Sequence, residues 1–132
     1  MLNQTTDIVF KSLMNKFLAL LLLSPLVVGE DYASEHEINQ KWCSKMKGEQ
    51  QFRTKDGTYV DCLTEEFAIE TDYDYNWKEG IGQALHYAET TNKKAAILFI
   101  KRQKSNKDYL SELNRVINKF ELPLEVFIVE DY

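Results

Sequence analysis

Asp61, Glu70 and Asp72 are the residues whose type and spacing point most directly to chemistry. Asp61 lies towards the end of the β-rich run Thr58-Tyr59-Val60-Asp61-Cys62-Leu63, while Glu70 and Asp72 alternate with Ile69 and Thr71 in the segment Glu66–Asp72. Adjacent antiparallel strands would bring the three carboxylates within a few ångströms of one another. Carboxylates that close repel unless a cation lies among them, and all-oxygen donors select Mg²⁺, Mn²⁺ or Ca²⁺ over Zn²⁺. The alternative is a solvated sheet edge that carries charge for solubility.

Other polar groups carry less information. Gln83 and Tyr87 stand one helical turn apart, spaced to clamp a phosphate or a base, or else to form a polar flank with a half-buried tyrosine. Lys101-Arg102-Gln103-Lys104 is a basic cluster able to track a nucleic-acid backbone, or a charged loop between strand and helix; Arg53 and Lys55 are equally ambiguous. His86 falls opposite an apolar stripe and His36 lies among glutamates, so neither is placed for catalysis. Two Cys and two His without CxxC or HxxxH spacing exclude a structural zinc site.

The elements that position these groups are legible. Tyr32, Ile38, Trp42 and Met46 recur at near-helical spacing up to Gly48, a C-cap candidate. Glu49–Thr54 and Thr58–Leu63 flank the hairpin chemistry of Lys55-Asp56-Gly57. A third strand, Glu66–Asp72, buries Phe67 and Ile69 and presents Glu70 and Asp72 on its other row. A helix from about Asn76 to Thr90 carries Trp77, Ile81, Ala84, Leu85 and Ala88 on one face. Ala95–Ile100 is an unbroken apolar run, expected of a central parallel strand covered on both faces. A helix from Asn106 to Phe120, a stop at Pro123 and a strand Leu124–Val129 complete the order αβββαβαβ.

The chain has 132 residues, room for one core and not two. Phe17–Val28 is a 12-residue stretch without charge, preceded by Lys11 and Lys16, broken by Pro25 and ending beside Gly29. It is short for a bilayer span and reads as the apolar region of a secretory signal peptide over residues 1–29. Met14-Asn15-Lys16 makes a more usual beginning for such a signal than Met1, and an uncleaved anchor or buried helix is the alternative reading. Cleavage removes Asp7, Lys11 and Lys16 and leaves 14 basic against 20 acidic residues, a net charge of −6 over residues 30–132. An acidic domain argues against a DNA-binding module by charge alone, so nucleic acid requires a local basic patch or a bound cation. Cys43 and Cys62 read as a disulfide in an exported chain, with two buried thiols as the alternative.

Taken together, the order αβββαβ, Gly57-x-x-x-Asp61, Glu70-x-Asp72 and Gln83-Ala84-Leu85-His86-Tyr87 resemble the PD-(D/E)xK nuclease superfamily over about Glu35 to Ile100. The resemblance implies that Asp61 and Glu70 hold Mg²⁺ or Mn²⁺ with the backbone carbonyl of Thr71. It also implies that Glu49, matching a glutamate near the first helix and strand, completes the metal site. Gln83 and Tyr87 match the Gln-x-x-x-Tyr pair of members related to the RecB nuclease domain. The run from Tyr59 through Glu70-x-Asp72 to Ile81–Tyr87 is similar, more narrowly, to a group of small bacterial proteins placed in that superfamily without an established activity.

The superfamily's lysine falls at position 72, where this chain has Asp72. An aspartate there serves as a further metal ligand or a base, not as a cation on phosphorane charge. Lys78 is the nearest replacement, yet it lies about 140° around the helix from Gln83; Lys101 is another. The expected fold is therefore an α/β restriction-endonuclease-like core with a mixed central sheet, over residues 30–132. The expected function is an exported, periplasmic or secreted, divalent-metal-dependent nuclease acting on nucleic acid, without a stable membrane anchor once the signal is removed. The alternative is a catalytically inactive nuclease fold kept as a binding or interaction module of the envelope. The sequence sets no oligomeric state.

Overall fold

The computed structural model describes residues 33–131. The leader expected over residues 1–29, with its alternative start at Met14, lies outside the described residues. Helix α1 spans Glu35–Lys45, β1 Glu49–Arg53, β2 Tyr59–Leu63 and β3 Phe67–Tyr73. A single 3-10 turn, Asp74–Asn76, leads into α2, Trp77–Thr91; then follow β4, Lys94–Arg102, α3, Tyr109–Phe120, and β5, Leu124–Asp131. The expected order αβββαβαβ is the observed one. The five strands form one mixed sheet in the order β1-β2-β3-β4-β5, antiparallel from β1 to β3 and parallel from β3 to β5. The chain is thus an α/β protein.

The sheet is covered on both faces. Residues of β4 alternate between two cores: Ala95, Ile97 and Phe99 pack with Trp77, Ala84 and Leu113 of α2 and α3. Ala96 and Leu98 pack with Ile69, Cys43 and Cys62 on the α1 side. That double coverage is why Ala95–Ile100 has no polar relief: every residue in it is buried.

Helix α1 departs from its apolar pattern. Its fully covered residues are Asn39 and Cys43, while Trp42 is half-buried against Phe127, ring centroids 5.1 Å apart, and Met46 is exposed. Two constraints turn the helix this way. Cys43 is joined to Cys62 of β2 in a disulfide, Cα–Cα 5.7 Å, and Asn39 is hydrogen-bonded into the sheet. Gly48 is not the left-handed cap of α1; that conformation falls on Lys47, φ 55°. Glycine is required at 48 for space instead, because a Cβ there would lie 2.5 Å from Cys62 Sγ and 2.8 Å from Cys43 Sγ.

The β3 expectation needs a further correction. Both rows of β3 are buried, and Glu70 and Asp72, expected on an outward row, are only 6% and 7% exposed. The row that carries them lies beneath α2: Glu70 pairs with Ile97 and Asp72 with Phe99, and a Cβ at Gly80 of α2 would be 3.5 Å from Asp72 Oδ2.

A carboxylate cluster where two strands part

The paired register between β2 and β3 covers Leu63–Ala68 and Cys62–Ile69 and stops there. At the next position Asp61 replaces backbone pairing with its side chain: Oδ2 accepts the Thr71 backbone N–H at 2.9 Å. Oδ1 accepts Gln51 Nε2 at 2.8 Å. Gln51 holds φ 51°, a left-handed conformation uncommon for a non-glycine residue inside a strand. Both devices open the sheet at this point and aim side-chain groups into the gap.

Helix α1 closes the gap from one side. Asn39 Nδ2 donates to the Asp61 carbonyl at 2.9 Å, and Asn39 Oδ1 accepts the buried Thr71 hydroxyl at 2.7 Å. One turn earlier, Glu35 adds a carboxylate to the cluster. Glu35, Asn39 and Cys43 follow at i, i+4 and i+8, so a single stripe of α1 supplies an acid, an amide and a disulfide to the same junction. The helix start is fixed by a capping box, in which Ser34 Oγ accepts from Glu37 N and the Glu37 carboxylate accepts from Ser34 N. Tyr73 Oη donates to the Ala33 carbonyl just before it.

The electrostatics follow from this crowding. Glu70 is pushed up to about 9, first by burial and then by Asp61, with which it shares a side-chain hydrogen bond. At neutral pH Glu70 is therefore held in its protonated form. Glu35 is raised to about 7 by burial and by Asp72 and Asp61. Asp72 is raised to about 6, mainly by burial, against the opposing pull of a hydrogen bond to Asn76. Tyr87 is pushed to about 12 by burial and by the negative charge of Glu70, Asp61 and Asp56. Among the described residues, the charged groups that shift these four most are carboxylates. A cavity of about 90 Å³ adjoins the cluster, lined by Glu35, His36, Asn39, Gln51, Asp61 and Thr71.

The structure therefore brings together Asp61, Glu70, Asp72 and Thr71, with Tyr87 buried beside them. It separates the remaining candidates. Glu49 is exposed and pairs with Leu63, not at the parting of the strands. Its place in the cluster is taken by Glu35, which sequence reasoning missed. The signal that would have found Glu35 is Ser34-x-x-Glu37, which sets the first helical residue at 35. Lys78 is exposed, with its ammonium 5.6 Å from the Trp77 ring centroid, and the main charged groups acting on the carboxylates do not include it. Lys101 lies beyond β3, lining a separate cavity with Asp74 and Arg102. Gln83 is exposed while Tyr87 is buried, so the two do not form one clamp. His86 pairs with Asp56 at 2.8 Å and ties α2 to the β1–β2 hairpin.

Among the described residues no three His, Cys, Asp or Glu side chains are arranged to hold a metal ion by themselves. The oxygen donors at the junction still suit a hard cation, because Mg²⁺ commonly takes one or two carboxylates and keeps several waters.

Among known proteins, the chain is 32% identical over 93 residues, 70% of its length, to a protein of Acanthamoeba polyphaga mimivirus named as the KilA-N domain-containing protein L33. The match covers 37% of that protein, so the chain spans little more than a third of the relative. No family model matches the chain, and no solved structure does.

Proposed function

We propose that this protein is an exported, PD-(D/E)xK-like phosphodiesterase acting on nucleic acid with Mg²⁺ or Mn²⁺. The observation that carries the reading is the Asp61–Glu70 pair, two carboxyl groups brought together where β2 and β3 part so that Asp61 raises Glu70. Buried acids forced together cost stability unless they serve a cation or a proton. The order αβββαβαβ and the mixed sheet support the superfamily resemblance. Export is supported by the Cys43–Cys62 disulfide, usual outside reducing compartments. Among the described residues no helix is long and apolar enough to cross a membrane.

Asp61, Glu70 and the Thr71 carbonyl would hold the ion, with Glu35 and Asp72 nearby. A bound divalent cation supplies polarisation of the phosphate and a lowered pKa for water. The chain's own part is positional and protolytic. Asn39 and Gln51 hold Asp61 and Thr71 in place. Asp72, raised to about 6, is mostly ionised at neutral pH and is suited to accept a proton from an attacking water. Glu35, near 7, is poised to exchange one.

A second reading, an inactive nuclease fold kept for binding, is favoured by one observation: Asp72 occupies the lysine position. Incubation of the oxidised protein with single- and double-stranded DNA and RNA in Mg²⁺, Mn²⁺ or chelator separates the two. Metal-dependent cutting abolished by both Asp61→Asn and Glu70→Gln supports the phosphodiesterase. No cutting by folded protein leaves the binding module.

A further inference from the structure

The basic loop after β4 and the tyrosines after Asp72 form one continuous surface. Four of the seven residues 101–107 are Lys or Arg, in a chain of net charge −5. Lys101, Arg102 and Lys107 line a cavity of about 470 Å³ at the C-terminal end of β4 together with Asp74, Asp108 and polar Gln103, Ser105 and Asn106. Arg102 is paired to Asp74 and Lys107 to Glu112. Beside it, Tyr73 and Tyr75 are stacked, ring centroids 5.8 Å apart and planes within 7°. The Arg102 guanidinium lies 4.4 Å from the Tyr75 ring centroid and is oriented by Asp74, which accepts its Nε–H at 2.6 Å. Tyr75 is 46% exposed, although an aromatic ring of this size normally seeks cover. Arg102 belongs to both features: it touches Tyr75 and it lines the basic cavity.

We infer that the Tyr73–Tyr75–Arg102 stack and the 101–107 loop are a binding surface for single-stranded nucleic acid, with the stack taking an unpaired base and the loop following the phosphates. Tyr73, Tyr75 and the Arg102 guanidinium form a run of planar groups that is partly open at Tyr75, and only an unpaired base can be splayed against it. Lysines and an arginine along an adjoining groove attract the backbone that follows. A duplex offers the same phosphates with its base faces already occupied. Tyr73 directly follows Asp72 in β3, so this surface lies at the end of the strand that carries Glu70 and Asp72. The inference deepens the phosphodiesterase reading by naming its substrate class.

Fluorescence anisotropy tests it with the full 132-residue chain, oxidised, in chelator so that no cleavage intervenes. The probes are a labelled 12-nucleotide oligothymidylate, the same length of abasic strand, and a 12-base-pair duplex. The expected order is single strand tighter than both, with Tyr75→Ala weakening it about 10-fold, the effect of one lost base–aromatic stack, and Tyr75→Phe retaining it. Joint Lys101→Gln and Lys104→Gln substitution should lower the slope of log affinity against log salt by about 1.4. Circular dichroism confirms that each variant is folded, and the exposure of Tyr75 makes its removal mild. Equal or tighter binding of duplex or abasic strand, no effect of Tyr75→Ala, or no binding at all overturns the inference. Single-strand binding without cleavage in Mg²⁺ or Mn²⁺ leaves it standing while the phosphodiesterase reading fails. Cleavage without single-strand preference does the reverse.

Discussion

Asp61 Oδ2 accepts the Thr71 backbone N–H at 2.9 Å, a side chain doing what the neighbouring strand does elsewhere along β3. Thr71 is 1% exposed, so its amide has no recourse to water. Asp61→Ala leaves that donor unpaired and is expected to cost about 1–3 kcal/mol. Asp61→Asn keeps an oxygen in place and should cost less than half as much. Urea denaturation at pH 5 compares them; equal losses would mean that the hydrogen bond does not hold the junction.

Stability should fall with rising pH in the absence of divalent ions. The carboxyls of Glu70, Glu35 and Asp72 are raised to about 9, 7 and 6 from ordinary values of 4.5, 4.5 and 3.8. The folded chain keeps these protons after the unfolded chain has lost them. Their stabilising contribution is complete below about pH 4 and is lost progressively as pH rises towards 9. Glu37, Asp56 and Asp108 are shifted down, so their contribution is lost only as pH falls below the ordinary carboxylate range. Thermal denaturation in chelator should give a lower Tm at pH 8.5 than at pH 5, and Glu70→Gln should flatten the difference by several degrees, at ~4–8 °C per kcal/mol. A Tm that climbs between those pH values in the unsubstituted protein contradicts the crowded-acid description.

Reduction of Cys43–Cys62 should remove roughly 3 kcal/mol, the chain-entropy value for a loop of this size, and loosen α1 from the junction it closes. Gly48→Ala should also destabilise, by about 1–3 kcal/mol, because the new methyl group meets both sulfurs. The two effects share one cause. In a chain carrying Cys43→Ala and Cys62→Ala the Gly48→Ala penalty should shrink, and a double-mutant cycle on denaturant midpoints measures the coupling. Additive losses would place the strain elsewhere.

Cutting the α1 clamp should disturb the site more than the fold. Asn39→Ala removes hydrogen bonds to the Asp61 carbonyl and the Thr71 hydroxyl, at an expected cost of about 2 kcal/mol. Amide exchange should speed up at Thr71 while the β4 amides, at the centre of the sheet, stay protected. Uniform acceleration across both strands would show that Asn39 supports the whole sheet rather than the junction.

The sheet was readable because its chemistry is local. Ala95–Ile100 has the unbroken apolar run of a doubly covered parallel strand, and Lys55-Asp56-Gly57 carries its own hairpin signal. Asp61 and Glu70 were also readable, since antiparallel pairing of two short strands must oppose them. Other features depend on tertiary geometry. Glu35 enters the cluster only because the disulfide and Asn39 rotate α1 away from its apolar stripe. Gly48 reads as a helix cap in one dimension and is a seat for two sulfurs in three. Lys78 is near the motif position in sequence, whereas in three dimensions its ammonium lies over the Trp77 ring. The burial of Glu70 and Asp72 depends on α2 lying across a row of β3 that alternation alone would leave facing water.

The most direct test of the central claim is calorimetric titration of Mn²⁺ into the oxidised protein at pH 7.5, repeated in buffers of different ionisation enthalpy. With Glu70 holding its proton to about 9, ion binding at Asp61 and Glu70 must expel it. The account predicts saturable binding of one ion with close to one or more protons released, lost in Asp61→Asn and proton-silent or lost in Glu70→Gln. Absence of binding, or binding that neither substitution changes, would contradict the assignment of Asp61 and Glu70 as a metal-holding pair.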